Sequence, residues 1–182
     1  MRNAITIFLL LVAMYCRAGD IYLDFDCTSQ TPREKGITIT DKSVTVNQEG
    51  KTYTFEHSFL SISLNKGMTG MQLGGPGTNL RNSPYLFLEE PLKHITYIEV
   101  TVRSKFPGGW LDAGISVDDN PLTAFRLAGT NKFRTNMTMA YDLYHFVPAD
   151  GKPVDGNVLI RFMSSVEGFF VRVQTIHIHY KN

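Results

Sequence analysis

The sequence is poor in cysteine. It has two, Cys16 and Cys27, and the first sits in an N-terminal stretch that reads as a leader. The single thiol that remains cannot close an internal disulfide, so the fold must stand on its hydrophobic core. An excess of either charge is also missing. Lys and Arg number 18 against 17 Asp and Glu, a formal net charge of +1. That balance argues against nucleic acid and anionic membrane as partners. No apolar run is long enough to insert in a bilayer: the longest, "AITIFLLLVAMY", has about a dozen residues where a spanning helix needs roughly twenty. No window carries a helix-period stripe with caps. Tryptophan occurs once, as Trp110.

The start of the chain has the parts of a signal peptide: Arg2 as the positive region, the apolar run, and the small Ala18 at the cut. The expected organisation is a leader over residues 1–18 and one domain over 19–182. Cleavage removes Arg2 and Arg17 and leaves acidic side chains ahead by one. The mature protein is expected outside the cytoplasm, secreted or in the periplasm or cell envelope. Cys16 follows the bulky Tyr15, where a lipid-attachment cysteine follows a small residue, which argues against lipoprotein anchoring. The sequon Asn136–Thr138 is read as chance.

What is present is period two. "DIYLDF" places Ile21, Leu23 and Phe25 on one face. "GITIT" and "SVTVN" flank a hairpin turn, and "NQEGK" turns into "TYTFEHSFLSISL". "HITYIEVTVRSKF" reads as one long strand with Ile95, Tyr97, Glu99, Thr101 and Arg103 on one face and Thr96, Ile98, Val100 and Val102 on the other. "PYLFLEE", "WLDAGISVD", "LTAFRLAG", "FRTNMTMAYDLYHF", "NVLIRFMSS" and "GFFVRVQTIHIHY" complete about ten strands at the turn spacing of a sandwich or barrel. "TMAYDLYHFV" also admits a single helical turn. Local pairing of such strands predicts an all-β, antiparallel two-sheet β-sandwich, with the jelly roll as the natural architecture.

The order of segments carries a resemblance. "DFD" is followed by "GITIT…VTVNQEGKTYTF", the glycine-rich "LNKGMTGMQLGGPG", then "SPYLFLEEP", "LKHITYIEVTVRS", "DAGISVDDNPL" and the closing "NVLIRFMSS…GFFVRVQTIHIHY". This pattern resembles small secreted β-sandwich domains of gut bacteria with a galactose-binding-like jelly roll, related to carbohydrate-binding modules. The resemblance implies a binding module more than an enzyme, and carbohydrate as the ligand.

Trp110 follows Pro-Gly-Gly and opens the strand "WLDAGISVD". It is either a platform on which a sugar ring stacks or a plug in the core. If Ala113 and Ile115 face the core, Trp110 shares its face with Asp112, Gly114 and Ser116. Phe106, at the start of the same turn, is a second candidate platform. The segment from Gly67 to Tyr85 packs five glycines into eleven residues, with no phosphate-loop motif. In it Arg81, Asn82 and Tyr85 are either ligand donors and a stacking ring or solvated loop residues.

Metal chemistry finds thin support. Asp118–Asn120 alone offers too few oxygens for calcium, which takes about six to eight, and a structural calcium at Asp24 and Asp26 is the alternative that stays open. His177 and His179 share a strand face, yet zinc needs a third or fourth ligand. The expectation is no resident metal and no cofactor. Serine-hydrolase and zinc-protease motifs are missing. The adjacent pairs Glu89-Glu90 and Asp118-Asp119 point to opposite strand faces, whereas glycoside hydrolysis needs two acids facing one groove about 5 to 10 Å apart. Cys27 has no local activating partner. The expected function is a non-catalytic glycan-binding module that recognises a glycan or cell-surface polysaccharide. A structural or adhesive envelope protein that binds another protein stands second, and a small jelly-roll hydrolase or lyase third.

Overall fold

The computed structural model describes residues 18–58, 62–117, 120–121 and 124–181. Residues 1–17, which hold nearly all of the expected leader 1–18, and the Asp118-Asp119 pair lie outside the described residues. The strands are β1 (Ala18–Asp24), β2 (Ile37–Ile39), β3 (Ser43–Gln48), β4 (Lys51–His57), β5 (Ile62–Ser63), β6 (Met71–Gly74), β7 (Tyr85–Leu88), β8 (Leu92–Ile95) and β9 (Tyr97–Ser104). They continue as β10 (Trp110–Val117), β11 (Asn120–Pro121), β12 (Phe125–Leu127), β13 (Thr135–Asn136), β14 (Asp142–Pro148), β15 (Val154–Gly156), β16 (Val158–Met163) and β17 (Phe170–Lys181). A 3-10 turn at Arg33–Lys35 is the one helical element among the described residues.

Two antiparallel sheets form a sandwich of jelly-roll type. The first runs β12-β14-β9-β17-β6-β5, with β1 also pairing β17. The second runs β11-β10-β16-β7-β4-β3-β2, with β13 also on β10. β15 and β8 make a separate two-stranded ribbon. Alternation explains the layers: Ile98, Val100 and Val102 of β9 and Ile176 and Ile178 of β17 are buried and meet Ile160, Phe162, Leu86 and Phe55 from the other sheet in one core. A buried hydrogen bond joins the phenols of Tyr53 on β4 and Tyr180 on β17 at 3.1 Å. It pins the two layers and leaves neither hydroxyl bare. Burial and this partner push the Tyr53 phenol well up from its ordinary value.

Local chemistry sets the turns. Glu49 and Gly50 between β3 and β4 both have positive φ, the requirement of a tight hairpin whose twist matches its strands. Two sequence expectations change. The stretch "HITYIEVTVRSKF" is two strands broken at Thr96, because His94 takes φ of 51° and re-aims the chain. Ile95 is therefore buried and does not share the outer face of Tyr97 and Glu99. "TMAYDLYHFV" forms no helical turn; Asp142–Pro148 is a strand held between β9 and β12, so tertiary pairing decides its state.

Cys27 is buried, and burial pushes its thiol up from the ordinary value. The folded protein is expected to keep Cys27 unmodified by an alkylating reagent at mildly alkaline pH and to expose it on unfolding. Peptide mass mapping checks this; prompt alkylation of Cys27 in the folded state would contradict it.

Candidate functional site

The outer face of the second sheet carries the cleft. Pairing brings Asp112 of β10 beside Arg161 of β16, and Arg161 beside Tyr85 of β7. One row over, Trp110 pairs with Met163. Leu111, Ala113 and Ile115 are buried in the core, so Trp110 stands on the opposite face with Asp112. Its ring is half-buried. The guanidinium carbon of Arg134 lies 5.5 Å from the ring centre, a cation–π contact that takes up part of its surface. The indole Nε1 is buried and has no hydrogen-bond partner among the described residues.

Asp112 organises this face. Its side chain is only 4% exposed. Arg161 donates to it through Nε at 3.2 Å and Nη2 at 2.9 Å. Arg134 donates to Oδ2 at 3.4 Å. A buried carboxylate in a sheet is tolerable because two guanidinium groups satisfy it. The result is a fixed Arg161 whose neighbour on β7 is Tyr85.

The loop between β6 and β7 closes over that row. The hydroxyl oxygen of Thr78 accepts the Gly75 N–H at 2.9 Å. Asn79 Oδ1 accepts the backbone N–H groups of Arg81 at 2.9 Å and Asn82 at 3.1 Å. Such Asx-type turns fix a loop without help from a sheet. Gly168 N–H donates to the Thr78 carbonyl at 3.0 Å and ties the loop to the turn before β17. With its backbone held this way, the loop presents Arg81, Asn82 and Ser83 beside Tyr85.

The space enclosed is a cleft of about 350 Å³ lined by Ser58, Leu80, Arg81, Asn82, Ser83, Tyr85, Arg161 and Met163. Among the described residues no hydrogen bond or ion pair engages the side chains of Arg81 or Asn82. Ser58 Oγ is buried and likewise without a partner there. The Tyr85 hydroxyl donates to Glu56 Oε1 at 3.0 Å. Burial first, then this acceptor, pushes the phenol up, so it stays a protonated donor at neutral pH. The cleft thus offers a ring, an apolar floor in Met163, and unengaged donors carried on a loop whose backbone is held.

Arg81, Asn82 and Tyr85 therefore come together, with Trp110 on the same sheet face. Phe106 does not join them. It packs against the core and meets Phe170 edge-on at 6.3 Å, beside the other sheet. The turn Pro107–Gly109 carries it away from Trp110. Arg161, Arg134 and Met163 escaped the sequence reading. The alternation of "NVLIRFMSS" put Arg161 opposite Ile160 and Phe162, but nothing local told which strand would lie next to it.

The other candidates resolve differently. Asp24 is ion-paired with Lys35 and accepts the Asp26 N–H. Asp26 accepts the Thr28 N–H at 3.0 Å, which holds its carboxyl below the usual range. His177 and His179 do share an outer face, while Ile176, Ile178 and Tyr180 point the other way into the core. His179 stacks on Tyr97 with centroids 5.1 Å apart, and His177 bridges Asp20 and Glu99 at 2.9 and 3.3 Å. Among the described residues no three His, Cys, Asp or Glu stand together as a metal-holding group, and no helix is long and apolar enough to cross a membrane.

No protein-family model and no curated protein matches the sequence. Among solved structures, a family two carbohydrate esterase from Cellvibrio japonicus overlaps 90% of this chain at 7% identity with a TM-score of 0.42. This chain spans 34% of that esterase. BiXyn10A CBM1, in its apo form, overlaps 88% of this chain and 96% of its own at 10% identity and a TM-score of 0.42. A structure described as "CBM4 structure and function" overlaps 90% of this chain and 86% of its own at 13% identity and a TM-score of 0.29. These overlaps are distant, and the fold and the cleft stand on the strands and side chains described above.

Proposed function

We propose that this protein is an exported, non-catalytic β-sandwich that binds a glycan in the cleft between the β6–β7 loop and the outer face of the second sheet. The observation that carries this reading is the convergence of Arg81 and Asn82, both without a protein partner among the described residues, on the ring of Tyr85. Sugars present vicinal hydroxyls at their edges and apolar C–H faces. Guanidinium and amide groups read the first, and an aromatic ring with Met163 packs on the second. The leader over residues 1–18 fits export to where polysaccharides are met.

Binding is favoured over hydrolysis by what lines the cleft. None of its described lining residues is a carboxylate. Glu56 is engaged by Tyr85, and Asp112 is held by two arginines. A pair of acids flanking one bond is therefore not supplied there.

Affinity electrophoresis against a panel of soluble polysaccharides tests the reading. The wild type is expected to be retarded by at least one of them. Arg81→Ala is expected to lose about tenfold or more in affinity, since hydrogen bonds from a charged group contribute about 1.5–3 kcal/mol. Release of reducing sugar from the retarding polysaccharide, or full retardation of Arg81→Ala, would overturn it.

A further inference from the structure

The outer face of the first sheet holds a second cleft, of about 210 Å³, lined by Arg103, Ser104, Lys105, Met139, Phe170 and Arg172. Arg103 on β9 and Arg172 on β17 are direct cross-strand partners. Like charges placed opposite each other in a sheet are destabilising. On the other sheet two arginines share Asp112, but here the counter-charge is missing. Among the described residues no carboxylate pairs with Arg103, Lys105 or Arg172. Arg172 Nε is buried without a hydrogen-bond partner, a costly state for a cationic donor.

The neighbours fix these cations without satisfying them. Arg103 lies over the Tyr141 ring at 5.2 Å, and Lys105 over the Phe170 ring at 5.2 Å. An aromatic face holds a cation but supplies no oxygen acceptor. Ser104 does not fill the gap, because its hydroxyl donates to the Phe106 carbonyl.

We propose that this cleft binds a compact oxyanion, the sulfate ester or carboxylate of an acidic glycan. Two guanidinium groups side by side match an anion with several oxygens in a way one ammonium cannot. The cleft is smaller than the roughly 300 Å³ at which pockets for drug-sized ligands begin, so it takes a charged substituent. A nucleic-acid backbone needs a stripe of cations. Here the same face turns acidic about 13 Å along β9, where Glu99 and Asp20 gather around His177. A dense polyanion would meet that end, whereas a mainly neutral chain with one charged group would not. That the anion is borne by a glycan rests on the function proposed above; the oxyanion site does not.

The test uses the full domain and two variants. Arg103→Glu places a carboxylate opposite Arg172, so it is expected to fold and to fill the vacant counter-charge itself. Arg81→Ala marks the other cleft. Inorganic sulfate is expected to raise the Tm of the wild type and of Arg81→Ala by several degrees more than that of Arg103→Glu at equal salt. In gels at low salt, polygalacturonate or dextran sulfate is expected to retard the wild type at least tenfold more strongly than Arg103→Glu, with unmodified dextran showing no such difference. Which of the two polymers retards identifies carboxylate or sulfate as the group. Equal sulfate-dependent shifts in wild type and Arg103→Glu would overturn the site. Sulfate protection with no difference on either acidic polymer would overturn the glycan assignment and leave the first cleft's reading untouched.

Discussion

Arg161→Met is expected to cost about 3 to 5 kcal/mol of folding stability, the loss seen when one partner of a buried ion pair is removed. Asp112 is the reason. Its carboxylate is nearly sealed from water, and Arg161 gives it two of its three hydrogen bonds. Without Arg161 it keeps only the 3.4 Å contact to Arg134, a side chain that is itself about half exposed. The charge would then sit in a poorly solvated place with a single weak partner. Arg134→Ala is expected to cost much less, because an exposed guanidinium gains little from its ion pair. Chemical denaturation reads both. The double variant Arg161→Met with Asp112→Leu is expected to recover most of the loss, since it removes the stranded charge as well. A loss under about 1 kcal/mol in Arg161→Met would show that Asp112 does not depend on that pair.

Gly74→Ala carries the second large effect, about 2 to 4 kcal/mol of destabilisation. Gly74 ends β6 with φ of 90°, and a Cβ there would stand 2.6 Å from the Phe169 carbonyl oxygen and 3.0 Å from the Pro84 ring. The oxygen belongs to backbone beside a fully buried side chain, so it cannot step aside cheaply. Gly77 is the matched control. Its φ is 86°, yet nothing lies within 4 Å of an added Cβ. Gly77→Ala is expected to cost only the backbone strain, about 1 to 2 kcal/mol. Thermal unfolding of the pair separates the contributions; equal losses would show that the contact with Phe169 is immaterial. The same strand end launches the loop that presents Arg81 and Asn82, so Gly74→Ala is also expected to weaken ligand binding.

How much of this was legible in the sequence differs from element to element. β17 changes face between Val173 and Ile176, where its register shifts, whereas the faces of β1 and β10 follow from alternation alone, because one side of each strand is continuously apolar. That is why Trp110 could be placed opposite Ala113 and Ile115 before any coordinates. The break at Thr96 could not, since it depends on a positive φ at His94, a residue whose type does not demand one. The cleft was half legible. Arg81, Asn82 and Tyr85 are close in sequence, and a glycine-rich segment brings them to one place. Arg161 and Met163 come from a strand about eighty residues later, seated between β10 and β7 by a crossover that hydrophobic patterning does not encode. Phe106 lies apart from the cleft for the opposite reason. It is near Trp110 in sequence, but the turn between β9 and β10 passes from one sheet to the other and separates them.

Under the proposed function, one cleft gathers Arg81, Asn82, Tyr85 and Arg161 around a sugar. A ¹H–¹⁵N correlation titration with the polysaccharide fragment that retards the protein tests it most directly. Trp110 is the sole tryptophan, so its indole N–H is a single unambiguous reporter beside the cleft. Saturable shifts are expected at Arg81, Asn82, Ser83, Tyr85 and Arg161, with the Trp110 indole moving in step. Shifts confined to other surfaces, with these amides still, would contradict it.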